Sequence, residues 1–122
     1  MWDKTKILIV DDEETMRLLL RHELEQRGFD VDEAESGEIA IEKLQKIYFN
    51  VVLLDIRMPG MDGMEVLRNV RQNNLADKVI MLTGVDELKI ARDSLTLGAN
   101  DYLTKPYDII TLLACINRVL KE

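Results

Sequence analysis

Four short stretches carry residues whose types and spacing could do chemistry. Asp11-Asp12-Glu13 follows the apolar run Ile7-Leu8-Ile9-Val10, and Asp55 follows Val51-Val52-Leu53-Leu54. Thr83-Gly84 follows Val79-Ile80-Met81-Leu82, and Thr104-Lys105-Pro106 follows Asp101-Tyr102-Leu103. If the first and third runs are neighbours, Asp11, Asp12 and Asp55 converge. Like charges that close repel, and one carboxyl takes a proton unless a cation lies among them. Hard oxygen ligands with room for water suit Mg²⁺, which seldom receives a full protein cage. Capping of helices or turns explains one such acid, but not three at the ends of apolar runs. Lys105 alone reads as an ordinary ion-pair partner, and Thr83 alone as a helix cap. Together with the backbone amide at Gly84, where a glycine permits close approach, they make a socket for phosphoryl oxygens around a carboxylate. Pro106 holds the chain extended at Lys105. The link Asp55 through Gly63 is long for a strand-to-helix connection, and its Pro59-Gly60 pair demands a turn.

These stretches need elements that bring them to one edge. Apolar runs alternate with longer amphipathic segments five times. The strands are expected at Ile7 to Val10, Asp30 to Glu33, Val51 to Leu54, Val79 to Leu82 and Asp101 to Leu103. The first, third and fourth are unbroken β-branched or leucine runs, as buried parallel strands should be. The first helix is expected from Glu14 to Arg27, stopped by Gly28. Ser36 caps the second, whose apolar face takes in Ile39, Leu44 and Ile47. Asp62 and Glu65 have capping-box spacing for the third. Asp86 is expected to cap the fourth, which reaches Gly98. The last sets Ile109, Leu112, Leu113, Ile116 and Leu120 on one face. Such alternation gives an α/β fold with a mainly parallel sheet covered on both faces. In such sheets ligands gather outside the carboxyl ends of the strands, where all four chemical stretches fall.

Composition narrows the functional classes. A chain of 122 residues with 47% apolar content suits one compact domain, residues 1–122, with a real core. The formal charge of −7 makes direct nucleic-acid binding by this domain a poor expectation, because phosphate backbones reward lysine and arginine. No apolar stretch is long enough to cross a bilayer and no signal-peptide pattern opens the chain, so no membrane partner is expected. The single cysteine, Cys115, makes no internal disulfide, and a cytoplasmic location follows as the simplest expectation.

The four stretches, in this order and spacing, resemble the receiver domains of bacterial response regulators in two-component signalling. The resemblance rests on Ile7 to Glu13, Leu53 to Gly63, Thr83-Gly84 and Gly98 to Pro106, and it covers essentially the whole chain. It implies a flavodoxin-like (CheY-like) doubly wound sheet of five parallel strands in the order 2-1-3-4-5 with five helices, the order known for the chemotaxis receiver itself. It implies that Asp55 is the phosphoacceptor, taking its phosphoryl group from a sensor histidine kinase or phosphotransfer protein. Mg²⁺, with Mn²⁺ as a substitute, would be held by Asp12, Asp55 and the Arg57 backbone carbonyl, with Asp11 acting mostly through water. Thr83, Gly84 and Lys105 would hold the phosphoryl group, and Tyr102 would change rotamer with the switch. The face of the fourth helix, fifth strand and fifth helix would then be read by an output domain or downstream protein, or pair in a homodimer. The product is a switch and not a multiple-turnover enzyme.

Some positions depart from the family's pattern. Asn50 stands where an acid is common, and Tyr107 where phenylalanine is usual. Arg57 and Val85 occupy positions that tune loss of the phosphoryl group. The last helix lacks the arginines of receivers joined to winged-helix output, and the Tyr102 to Pro106 stretch leans toward receivers of enhancer-binding activators. The chain reads either as a whole single-domain regulator or as a receiver cut from a longer protein. A haloacid-dehalogenase-type phosphohydrolase would also use an aspartate and Mg²⁺ at a strand end, but it needs a second aspartate where Arg57 stands. A degenerate receiver, acting only as a binding module, conflicts with the intact set Asp11, Asp12, Asp55, Thr83 and Lys105. His22 reads as a solvated histidine and Cys115 as packing; Met58, Met61 and Met64 read equally as loop packing or as a partner surface.

Overall fold

The computed structural model describes residues 4–122. Five strands alternate with five helices: β1 (Lys6–Val10), α1 (Glu14–Gln26), β2 (Asp30–Ala34), α2 (Gly37–Leu44), β3 (Phe49–Asp55), α3 (Gly63–Asn73), β4 (Ala76–Thr83), α4 (Leu88–Thr96), β5 (Asp101–Thr104) and α5 (Ile109–Leu120). A single 3₁₀ turn, Val85–Glu87, lies between β4 and α4. The strands form one sheet in the order β2-β1-β3-β4-β5, and every neighbouring pair is parallel. This is the expected order and fold.

The central strands are apolar throughout because both of their faces are covered. Alternation along each strand sends successive side chains to opposite sides. Leu8, Val10, Val52, Leu54, Val79 and Met81 pack with residues of α2, α3 and α4, such as Ala40, Leu44, Val66, Leu67 and Ala91. Ile7, Ile9, Val51, Leu53, Ile80 and Leu82 pack with Leu20 and Leu24 of α1 and Leu112, Cys115, Ile116 and Val119 of α5. Register then fixes the chemical edge: Val10 pairs with Leu54, and Asp55 pairs with Leu82. Asp11, Asp55 and Thr83 therefore emerge side by side at the carboxyl ends of β1, β3 and β4.

Local expectations for the helices and their caps differ from the structure at three places. α2 ends at Leu44, and Ile47 lies beyond it, 45% exposed, so it does not belong to the helix's apolar face. Asp86 does not cap α4; it sits inside the 3₁₀ turn, and the residue before the helix is Glu87, which makes no capping bond to it. Thr83 is not a cap either, because its hydroxyl donates to the Gly84 carbonyl at 3.0 Å. The expected caps at Ser36 and Asp62 do form, accepting from the amides of Ile39 and Glu65, and Asp108 caps α5 by accepting from the amide of Thr111. Met58 is buried, and Met61 and Met64 pack against the same core, so these methionines serve loop packing. His22 is exposed and Cys115 is buried.

Candidate functional site

Each acid owes its position to a strand end. Asp11 follows β1 and is wholly buried, while Asp12 beside it is exposed. Asp55 ends β3 and is only 6% exposed. Carboxylate oxygens of Asp11, Asp12 and Asp55 all lie within 4.8 Å of one another, a spacing that a single cation could bridge. The amide of Glu13 donates to Asp11 Oδ1 at 2.9 Å, but the buried Oδ2 of Asp11 has no hydrogen-bond partner. A buried carboxylate oxygen that lies among acids and accepts no hydrogen bond fits a hard divalent cation or its water.

Lys105 supplies the positive charge. Its Nζ lies 3.5 Å from Asp11 Oδ2 and 3.5 Å from Asp55 Oδ1. It leaves β5 one residue late and is fixed there by its amide, which donates to the Thr83 carbonyl at 2.7 Å. The peptide bond between Lys105 and Pro106 is cis. Burial pushes the Asp55 carboxyl up to about 6, and Asp11 adds to this; Lys105 and the Arg57 amide pull the other way without cancelling it. Burial also disfavours the Lys105 ammonium, but Asp55 and Asp11 outweigh it and hold its pKa above the ordinary lysine value. The lysine thus stays charged, while Asp55 takes up a proton more readily than an ordinary carboxylate and is mostly ionised at neutral pH.

An open cleft lies over these groups, lined by Asp12, Glu13, Asp55, Arg57, Met58, Pro59, Gly84, Glu87 and Lys105. Of the residues anticipated from sequence, Asp12, Asp55, Arg57, Gly84 and Lys105 share this cleft, and Asp11 touches it through the lysine. Thr83 is fully buried beside it with its hydroxyl turned to the Gly84 carbonyl. Tyr102 stands apart: half-buried on β5, opposite Met81, it packs against the α2–α4 side of the core.

Two charged residues at the site were not singled out by sequence reasoning. Arg17, in α1, is 8% exposed; its Nη1 donates to the Asp11 carbonyl at 2.7 Å and its Nε to Glu33 at 2.9 Å. It ties the loop that carries the acids to α1 and β2. Glu87, in the 3₁₀ turn, is 7% exposed and accepts from Arg57 Nε at 2.5 Å. An arginine and a glutamate within helical stretches otherwise look like solvated surface, and only the fold reveals their burial.

A doubly wound parallel sheet with an acid cluster and a lysine at its carboxyl edge defines a recognisable class of protein. The response regulator receiver domain family matches residues 7–117, and the chain belongs to that family. It is 43% identical over 120 residues to the transcriptional regulatory protein ResD of Bacillus subtilis, covering 98% of this chain and 50% of that protein. It is 35% identical to the chemotaxis protein CheY of the same species, covering 94% of this chain and 97% of CheY. Among solved structures, a CheY-like receiver domain protein from Methanospirillum hungatei superposes with a TM-score of 0.92 at 33% identity, covering 98% of this chain and 95% of that one. The chain spans about half the length of the first curated relatives it matches. Receiver domains are switches of two-component signalling. Among the described residues no helix is long and apolar enough to cross a membrane.

Proposed function

We propose that this domain is a phosphorylation-operated switch in which Asp55 accepts a phosphoryl group from a histidine kinase or phosphotransfer protein. The observation that carries the reading is the placement of Asp55 at a strand end, 3.5 Å from Lys105 and within 4.8 Å of two further carboxylates. Phosphoryl transfer is governed by alignment and charge neutralisation more than by covalent help. Asp55, a carboxylate held at a desolvated strand end, is the nucleophile: its oxygen bonds to phosphorus as the bond to the donor nitrogen or oxygen breaks. Asp11 and Asp12, with Asp55 and the Arg57 carbonyl, would hold Mg²⁺, or Mn²⁺ in its place, which supplies charge neutralisation to the transferring group when bound. Lys105 needs no movement to reach a phosphoryl oxygen on Asp55, since it already bridges Asp55 and Asp11.

Phosphorylation adds about −1.5 to −2 charge and new acceptor oxygens at the cleft. The Gly84 amide and the Thr83 hydroxyl are neutral donors at the carboxyl end of β4. To serve, the Thr83 hydroxyl must leave the Gly84 carbonyl, and the loop after β4 must shift with it. Tyr102, next to β4 and half-buried, is the side chain able to follow into the space vacated. The changed face of α4, β5 and α5 would then be read by an output domain or downstream protein, or by a second copy of the chain. A cytoplasmic setting, where kinases of this kind act, is part of the same reading, and the domain spanning residues 1–122 works without touching nucleic acid itself.

The test is intact-mass analysis after incubation with acetyl phosphate, with and without Mg²⁺. The wild type gains one phosphoryl mass only with Mg²⁺, and Asp55→Asn gains none. A wild type that stays unlabelled, or an Asp55→Asn variant that labels equally well, refutes the assignment.

A further inference from the structure

The loops after β3 and β4 are joined across the cleft by a side-chain contact that the transfer chemistry does not use. Glu87 Oε2 accepts from Arg57 Nε at 2.5 Å, and Glu87 Oε1 faces the Gly84 amide at 3.4 Å. The Glu87 side chain is 8% exposed and that of Arg57 73%. The turn itself makes this arrangement: the Glu87 amide donates to the Gly84 carbonyl at 3.1 Å, which folds residue 87 back over residue 84. A carboxylate this buried is costly unless both oxygens are partnered, and here its partners are one guanidinium and one backbone amide. Both partners belong to the acceptor site.

Resting on the phosphoacceptor reading above, we propose that Glu87 is a positioning residue for the resting state, a latch that occupies the Gly84 amide until a phosphoryl group displaces it. Two requirements collide when Asp55 is phosphorylated. The phosphoryl oxygens need the Gly84 N–H, which is turned toward Glu87. They also bring negative charge into a cleft that already holds the buried Glu87 carboxylate, and like charges this close repel. Glu87 must therefore leave. Its departure frees the Arg57 guanidinium, whose exposed end then has a new anion to meet in the same cleft. It also releases the 3₁₀ turn from the β3–α3 loop, so that α4, which starts at Leu88, gains freedom to move. The latch thus couples occupancy of Asp55 to the element that leads into the output face.

Beryllofluoride, a non-hydrolysable stand-in for the phosphoryl group, is the probe, titrated in saturating Mg²⁺ into wild type, Asp55→Asn, Glu87→Gln and Arg57→Gln. Glu87→Gln keeps the shape and removes the charge. It binds beryllofluoride about fivefold more tightly or better, as expected when one repulsive charge is removed and the competing hydrogen bond at the Gly84 amide is weakened to a neutral one. Mg²⁺ affinity, measured separately, does not rise with it. In both variants the Gly84 amide resonance of the ligand-free protein moves toward its position in the beryllofluoride complex of the wild type. A merely structural ion pair predicts the reverse: both ligands bind more weakly, and the Gly84 resonance moves elsewhere or stays. If Glu87→Gln fails to fold, the Gly84 resonance of Arg57→Gln, altered only at an exposed side chain, decides the matter. A wild type that binds beryllofluoride while neither variant differs from it overturns the latch alone. A wild type that binds none, like Asp55→Asn, overturns the acceptor reading and the latch with it.

Discussion

At the scale of single residues, Asp55 is stabilised in its protonated form by the fold. Its carboxyl is raised from 3.8 to about 6, first by burial and then by Asp11, against the pull of Lys105. A raised folded-state value means that Asp55 favours folding fully below about pH 4 and that this contribution is lost as pH climbs through about 6. Without divalent cation, Asp55→Asn should therefore be more stable than wild type at pH 7.5, by about 3 kcal/mol, and gain nothing below pH 4. Urea denaturation across pH with chelator present checks this; a gain that grows toward acid contradicts it. Arg17 makes a second residue-level prediction. Replacing it by Met strands the Asp11 carbonyl and leaves Glu33 with Arg21 as its remaining arginine partner, with an expected loss of about 1–3 kcal/mol and weakened Mg²⁺ binding, read by denaturation and titration. The carboxylates were legible in the sequence because they stand at the ends of apolar strands, and Lys105, after the mixed strand β5, through its place beside them in the family resemblance. Arg17 and Glu87 were not, because a charged residue on a helix or turn looks the same whether it faces water or a neighbouring loop. The Asp86 cap failed for a related reason: the turn that places Glu87 over Gly84 replaces the ordinary helix start.

At the scale of elements, two glycines hold the edges of the site's frame. A Cβ on Gly63 would stand 2.3 Å from the Asp55 carbonyl oxygen and 2.8 Å from Ile56 Cα. The start of α3 thus packs onto the very peptide that carries the acceptor. Gly63→Ala should cost about 1–3 kcal/mol and slow phosphoryl uptake from acetyl phosphate, since the backbone at Asp55 must yield. Retention of wild-type labelling kinetics would show that α3 and Asp55 are not coupled this way. At the opposite edge, Gly98 has a φ of +107° and faces Arg71, whose Nε donates to the Gly98 carbonyl at 2.7 Å and whose Nη2 donates to Asn100 at 2.6 Å. Gly98→Ala and Arg71→Ala should each lose about 1–3 kcal/mol, and the double variant less than their sum, because they share one contact. The interiors of β3 and β4 were readable from apolar runs, but their beginnings were not, whereas β2 and β5 begin where expected, at Asp30 and Asp101. β3 starts at Phe49 and β4 at Ala76, each a few residues earlier than expected, because Asn50, Asp77 and Lys78 interrupt the run while the backbone ladder continues. Sheet order is invisible to periodicity and entered only through the family resemblance.

At the scale of the whole molecule, a chain with a formal charge of −7 concentrates three carboxylates at one edge of its sheet and offsets them with one lysine. Divalent cation binding should therefore stabilise the fold, by about 1.4 kcal/mol at a Mg²⁺ concentration ten times its Kd. The effect should shrink between pH 7.5 and pH 5, because protons on Asp55 compete with the cation. Thermal melts over a Mg²⁺ series at the two pH values measure it, and an equal rise at both, or none, contradicts the cation site. The central claim is that one carboxylate, at the end of β3, becomes an acyl phosphate. Borohydride cleaves an acyl phosphate and leaves homoserine in place of the aspartate, so tandem mass spectrometry of the digested, acetyl-phosphate-treated protein locates the acceptor. Homoserine at position 55 alone is the predicted result; homoserine at position 11 or 12, or at no position, contradicts it.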